Sequence, residues 1–281
     1  MRMIDVALKE EYGFLQGGNL QGWLGDYPWD GERNPSWKRP ALIVVPGGGY
    51  GMVSKREAEP IASYFYGKGF QVFILTYMCE PQGAYYPEQL LELASAVDYV
   101  KKNAKDFDVN AEEIFAVGFS AGGHLVANLA VEHQEVAEKA GQALCCKPTA
   151  VGLCYPVISS THGHMGSYVN LLKGYPEAEQ VALKSKLNLD ERVNEQTPPA
   201  FLWATATDNV VPADNTLRYA LAMARNNRPY EVHVYPEGIH GLSACNMEIC
   251  QDGDVTTKTM ARWMDDCAAF FRRYTEEKFL F

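Results

Sequence analysis

The stretch Gly118-Phe119-Ser120-Ala121-Gly122 sets one hydroxyl among small residues, where an apolar run stops and a helical pattern starts. That arrangement suits a nucleophilic serine. A sharp strand-to-helix turn drives its central residue into a strained backbone conformation, and the residues two positions away must be small to avoid a clash. The hydroxyl is then held at the carboxyl end of a sheet, over a helix N-terminus whose free N–H groups and dipole favour an anion. Gly-Ser-Gly clusters also occur as plain turns, so the reading depends on what accompanies Ser120.

Three other stretches supply the companions. In Val44-Val45-Pro46-Gly47-Gly48-Gly49-Tyr50-Gly51, consecutive glycines let backbone amides approach a ligand closely. The N–H groups of Gly48 and Gly49 are therefore candidates to join that of Ala121 in holding a developing oxyanion. A phosphate loop would need Lys-Ser/Thr after its glycines, and Tyr50-Gly51-Met52 has none. Asp208 follows a predicted strand and precedes a predicted helix at Pro212, a place from which a carboxylate can orient a histidine. Its competitor Asp214 falls in the first turn of that helix, where a carboxylate interacts with the dipole.

His240 lies in a loop with Gly238 and Gly241 after the last predicted core strand. His124 and His133 fall within or at the end of the helix after Ser120 and His233 falls in a strand, so these three read as structural. His162 and His164 have the spacing of a metal pair but no nearby cluster of Cys, Asp or Glu, and no metal is expected. His240 alone combines a loop position with the chain order Ser, Asp, His. Ser120 and Asp208 are 88 residues apart and Asp208 and His240 are 32 apart, enough for the intervening elements to return each carrier loop to one edge of a sheet. Together these features predict a Ser-His-Asp hydrolase.

The elements that must position these groups alternate from Pro40 onward. Predicted strands are 41–45, 71–76, 113–117, 150–155, 200–204 and 231–235, near-continuous apolar runs that imply burial on both faces. A helix with Pro87 in its first turn is predicted to bury Leu90, Leu93, Val97 and Val100. Another, starting near Pro212, is predicted to bury Leu217, Leu221 and Ala224. The last, with Met260, Trp263, Met264, Cys267, Phe270 and Phe271, is predicted to cover one edge of the sheet. The pattern is α/β, a mostly parallel central sheet with helices on both faces in a single domain over 1–281. Residues 1–39 are predicted to form an antiparallel edge hairpin with an aromatic loop through Tyr27, Trp29 and Trp37. Residues 156–198 break the rhythm and read as an insertion that serves as a lid or substrate wall.

Bulk composition removes other classes. Lys and Arg total 25 against 35 for Asp and Glu, a net charge of −10, which leaves no basic field for nucleic acid. No run approaches the roughly 18 apolar residues of a membrane span, so no membrane association is expected. The seven cysteines are scattered without CxxC pairs, and the charged N-terminal stretch lacks the apolar core of a signal peptide. A reducing, cytoplasmic location is the expectation.

With these motifs in hand, the sequence resembles the α/β-hydrolase superfamily. More narrowly, it is similar to the small carbohydrate esterases that include acetylxylan esterases and bacterial acetyl esterases of the lipase/esterase-like group. "PGGGYGMVSKREAEPIASYF", "GFSAGGHLVANLA", "TPPAFLWATATDNVVPADNTLRYA" and "EVHVYPEGIHGLS" carry the likeness. The resemblance implies Ser120 as nucleophile, His240 as general base and then acid, and Asp208 as the group that holds the imidazole tautomer. It also implies an oxyanion hole from Gly48, Gly49 and Ala121, a pocket shaped by Tyr50, Trp203 and the insertion, and no cofactor. Two positions depart from the family pattern: Pro46 replaces the histidine often found before the glycines, and Ala204 replaces a histidine in the strand before the acid. The expected activity is removal of small acyl groups, acetyl foremost, from sugar hydroxyls of oligosaccharides such as acetylated xylo-oligosaccharides. The rival expectations are a feruloyl esterase, a prolyl-oligopeptidase-like peptidase and a catalytically inactive binding protein.

Overall fold

The apolar runs of the sequence are the strands of a single sheet. A computed structural model describes residues 1–26, 38–246, 249 and 260–276; the aromatic loop expected through Tyr27, Trp29 and Trp37 lies outside them. The strands are β1 (Arg2–Ala7), β2 (Asn19–Leu24), β3 (Arg39–Val45), β4 (Gln71–Thr76), β5 (Val109–Phe119), β6 (Val151–Cys154), β7 (Ala200–Thr205) and β8 (Tyr230–Tyr235). Their order is β1-β2-β4-β3-β5-β6-β7-β8. The first two pair antiparallel and β2 runs antiparallel to β4, the edge hairpin expected of the N-terminal segment. From β4 to β8 all pairings are parallel.

Parallel strands alternate their side chains between two helical layers, which is why residues 41–45 of β3 and 114–119 of β5 are apolar on both faces. Ala41, Ile43 and Val45 enter one core with Ile114 and Ala116, whereas Leu42 and Val44 enter the other with Phe115 and Val117. Each fully buried Leu, Ile, Val or Phe contributes on the order of 1.5–3 kcal/mol.

The helices among the described residues are α1 (Leu8–Glu11), α2 (Glu59–Gly67), α3 (Glu88–Lys102), α4 (Ala121–Glu132), α5 (Val136–Ala140), α6 (Met165–Leu172), α7 (Glu177–Lys186), α8 (Asp214–Arg225) and α9 (Trp263–Arg272). Leu90, Leu93, Val97 and Val100 of α3 are buried in the first core with Leu125 and Leu129 of α4 and Tyr219 and Met223 of α8. The second core takes Ile61 and Phe65 of α2 and Trp263, Phe270 and Phe271 of α9. Among the described residues no helix is long and apolar enough to cross a membrane, and the six described cysteines are free.

Two helical expectations are corrected. In α8 Leu217 and Leu221 are 48% and 50% exposed, and Ala224 is exposed too; the buried residues are Asn215, Thr216, Tyr219, Ala220, Ala222 and Met223. A polar anchor sets this phase. Asn215 Oδ1 accepts the N–H groups of Ile158 and Ser159 at 3.0 and 3.1 Å, so its side chain must face inward and Leu217 turns out. The last helix covers a face rather than an edge, with Phe271 stacked on Phe115 and Trp263 on Trp203, ring centroids 4.7 and 5.4 Å apart.

The 156–198 segment contains α6, α7 and a 3-10 turn at Leu189–Arg192. Its far end is fastened to α4 by charge. Fully buried Glu132 is bonded by Arg192 and Tyr86 and lies within ion-pair reach of Lys139 and Lys186. A buried carboxylate is tolerable only with such partners.

Candidate active site

Ser120 occupies the single residue between β5 and α4, with φ 52° and ψ −116°. Such a backbone costs about 1–3 kcal/mol in a residue with a side chain and persists only where its surroundings impose it. Here they do: Ser120 N–H donates to Cys154 O at the end of β6, and Ser120 O accepts from Val157 and His124, all at 3.0 or 3.1 Å. The flanking glycines permit the approach of α4 to the sheet. A Cβ on Gly118 would lie 2.3 Å from Gly122 O, and one on Gly122 would lie 2.2 Å from Val45 O and 2.3 Å from Pro46 O. All these contacts are backbone, which cannot swing aside. Gly122→Ala is therefore expected to destabilise the protein by about 3 kcal/mol, the upper range for overpacking. Urea unfolding checks this, and an unchanged midpoint would show that α4 can move off β3.

The loop after β8 carries His240 against Ser120. The loop's Gly238 O accepts the hydroxyls of Thr205 and Thr207, both at 2.9 Å, and Gly241 O accepts the Arg56 guanidinium at 2.6 Å. So held, His240 Nε2 lies 2.8 Å from Ser120 Oγ and Nδ1 lies 2.6 Å from Asp208 Oδ2. The carboxylate can only accept, so Nδ1 carries the proton and Nε2 accepts the serine O–H. Asp208 Oδ1 accepts the N–H groups of Val210 and Val211, both at 2.9 Å, which leaves Oδ2 aimed at the ring. The Asp208 side chain is 1% exposed and that of His240 is 17%, so the orienting group is dry while the imidazole reaches solvent.

The glycine loop closes over the same point. A Cβ on Gly47 would lie 3.0 Å from Ser120 Cβ. Gly48 has φ 126°, and a Cβ there would lie 2.1 Å from Met52 O, so only glycine serves. Among the described residues, none accepts a hydrogen bond from the N–H of Gly48, Gly49 or Ala121. With Pro46 in place of a histidine, the loop is supported otherwise: Tyr77 O–H donates to Pro46 O, Glu57 accepts Gly47 N–H, and Asn170 of α6 donates to Gly49 O, at 2.8, 2.8 and 2.9 Å.

Other predicted residues lie elsewhere. Asp214 is on the surface of α8, paired with Arg218 and His162. His164 instead bonds Ser167 at 3.1 Å, so the two histidines engage separate partners. His124 is fully buried, its Nδ1 2.7 Å from Tyr50 O–H, and burial lowers its pKa to about 4. Tyr50 is 1% exposed beneath the loop, and Trp203 is fully buried between Tyr155 and Trp263. Both rings, expected to shape the pocket, lie beneath the surface. The insertion comes close to the glycine loop: a Cβ on Gly49 would lie 3.8 Å from His164 Cε1 and Ser167 Oγ.

Glu57, Tyr155 and Asn170 were not legible as site residues. Glu57 reads in sequence as an acid preceding a helix, and Tyr155 as the end of an apolar run; only their burial against the loops gives them significance.

The chain matches the BD-FAE family over residues 32–222. It is 33% identical over 249 residues to endo-1,4-beta-xylanase B of Butyrivibrio fibrisolvens, covering 87% of this chain and 37% of that protein. With the acetylxylan esterase of Xylanibacter ruminicola the identity is 29% over 216 residues, covering 74% and 42%. The chain thus spans less than half the length of either curated relative. The crystal structure of an acetyl ester-xyloside bifunctional hydrolase from Caldicellulosiruptor lactoaceticus is 28% identical, with a TM-score of 0.78 over 96% of both chains. Chain-wide agreement with such hydrolases, together with the sheet order and the turn at Ser120, makes this an α/β-hydrolase fold. On the match across two-thirds of its length, the chain belongs to the BD-FAE family.

Proposed function

We propose that this chain is a serine carboxylic ester hydrolase that removes small acyl groups, acetyl foremost, from sugar hydroxyls of oligosaccharides such as acetylated xylo-oligosaccharides. The observation that carries the reading is the chain of hydrogen bonds from Asp208 through His240 to Ser120, 2.6 and 2.8 Å, beside unengaged backbone amides. The relatives named as an acetylxylan esterase and an acetyl ester-xyloside hydrolase support the choice of ester.

The chemistry follows from the geometry. Ser120 Oγ attacks the acyl carbon as its proton passes to His240 Nε2, and the carbonyl oxygen takes its negative charge toward the amides of Gly48, Gly49 and Ala121. Asp208 stabilises the imidazolium and keeps its ring in line. The imidazolium protonates the sugar oxygen as its bond to the acyl carbon breaks. Water then enters, gives its proton to His240 and attacks the acyl-enzyme, and collapse returns that proton to Ser120 Oγ and releases the acid. The cycle uses protein groups and water alone.

Acetate release from acetylated xylo-oligosaccharides, wild type against Ser120→Ala, tests the proposal. Release that disappears in Ser120→Ala is expected. No release while aryl acetates are still cleaved would remove the sugar ester as substrate.

A further inference from the structure

The cycle makes no use of Glu57, a carboxylate 4% exposed next to the site. Its Oε2 accepts Gly47 N–H and its Oε1 accepts Tyr155 O–H, both at 2.8 Å. Tyr155 in turn accepts Ser243 N–H at 3.0 Å, and its ring stands edge-on to His240 with centroids 5.1 Å apart. The preceding residue grips the same histidine loop twice: Arg56 donates to Gly241 O at 2.6 Å, and its carbonyl accepts Ser243 O–H at 2.5 Å. One short turn, Lys55–Glu57, thus holds the glycine loop on one side and the histidine loop on the other.

The residue type is what this junction requires. Two donors, an N–H and an O–H, converge on the two oxygens, and a carboxylate accepts both. Glutamine would accept one and turn its NH2 toward the other donor. Because the Tyr155 oxygen already receives Ser243 N–H, its own proton goes to Glu57, and both carboxylate oxygens are engaged as acceptors. The carboxylate form satisfies both donors. Burial pushes its carboxyl above the usual range, while Tyr155, Gly47, His240 and Arg56 work in the opposite direction. The other groups that feel its charge are the Tyr155 and Tyr77 hydroxyls and the Cys154 thiol. His240 itself faces Asp208, Ser120 and Tyr155.

We propose that Glu57 is a positioning residue that keeps the oxyanion loop and the histidine loop in register around Ser120. The inference rests on the roles assigned above to Ser120, His240 and the loop amides. Oxyanion contacts strengthen in the transition state, so loosening the loop lowers kcat and spares KM.

The test compares kcat and KM of wild type, Glu57→Gln, Tyr155→Phe and Ser120→Ala on an aryl acetate, with thermal melting. Glu57→Gln is expected to lose about 10- to 100-fold in kcat with KM within about two-fold, a fraction of the loss from deleting an oxyanion donor. Tyr155→Phe keeps the carboxyl group and cuts the link, so kcat should fall about ten-fold with KM within about two-fold. A folded Glu57→Gln with wild-type kcat overturns the proposal. If Glu57→Gln does not fold, wild-type kcat in Tyr155→Phe overturns it. Activity that survives in Ser120→Ala instead overturns the underlying assignment of the nucleophile.

Discussion

Ser120→Ala is expected to lower kcat for ester hydrolysis by roughly 10⁴- to 10⁶-fold while leaving KM nearly unchanged. Among the described residues the Ser120 hydroxyl, 2.8 Å from His240 Nε2, is the group placed to form an acyl-enzyme, so its loss removes the covalent route rather than weakening it. What remains is water attacking an ester held by the loop amides, a residual catalysis of about 10³- to 10⁴-fold over solution. Alanine keeps a Cβ at φ 52°, so it inherits the strain of the turn and the fold should be unaffected. The three groups act as a unit, so adding His240→Ala to Ser120→Ala should cost little more. Turnover in Ser120→Ala within ten-fold of wild type, with no contaminating esterase, would remove the serine from the mechanism.

Asp208→Asn is expected to cost about 10⁴-fold in kcat, with Asp214→Asn within two-fold of wild type. Asparagine can still accept the bonds from Val210 and Val211 through its oxygen, which turns its NH2 toward His240. That NH2 is a donor facing Nδ1, so the ring is driven to the tautomer with its proton on Nε2, and Nε2 can no longer accept from Ser120. Asp214 has no such leverage: its carboxylate is 45% exposed and pairs with Arg218 one turn along α8. An exposed pair of this kind contributes little, about 0.3–0.5 kcal/mol. Steady-state kinetics of the two variants decides the matter, and the reverse pattern would transfer the orienting role to Asp214.

What the sequence exposes about such a molecule follows from which constraints are local. The strands were legible because parallel strands buried on both faces must be apolar throughout, and 41–45 and 200–204 fall within β3 and β7. Ser120 stood out because the turn demands small residues at Gly118 and Gly122, a constraint written within five positions. Asp208 and His240 stood out by their loop positions and order, and they lie within hydrogen-bond reach of one another. The phase of α8 was not legible, because hydrophobic spacing favoured Leu217 and Leu221 while a long-range bond from Asn215 to the 158–159 backbone sets the buried face. The burial of Trp203 was not legible either, since an aromatic at the end of a strand fits a pocket wall as well as a core, and its stacking on Trp263 of α9 is a long-range contact. Glu57 was invisible because its role comes from partners 10 and 98 residues away.

The measurement that tests the central claim most directly is reaction of the folded protein with a fluorophosphonate, followed by intact mass and peptide mapping. A serine made nucleophilic by His240 should take up one phosphonyl group per chain, on Ser120, and Ser120→Ala should take up none. Folded wild-type protein that cleaves esters yet remains unlabelled, or carries the label on another residue, would contradict the account.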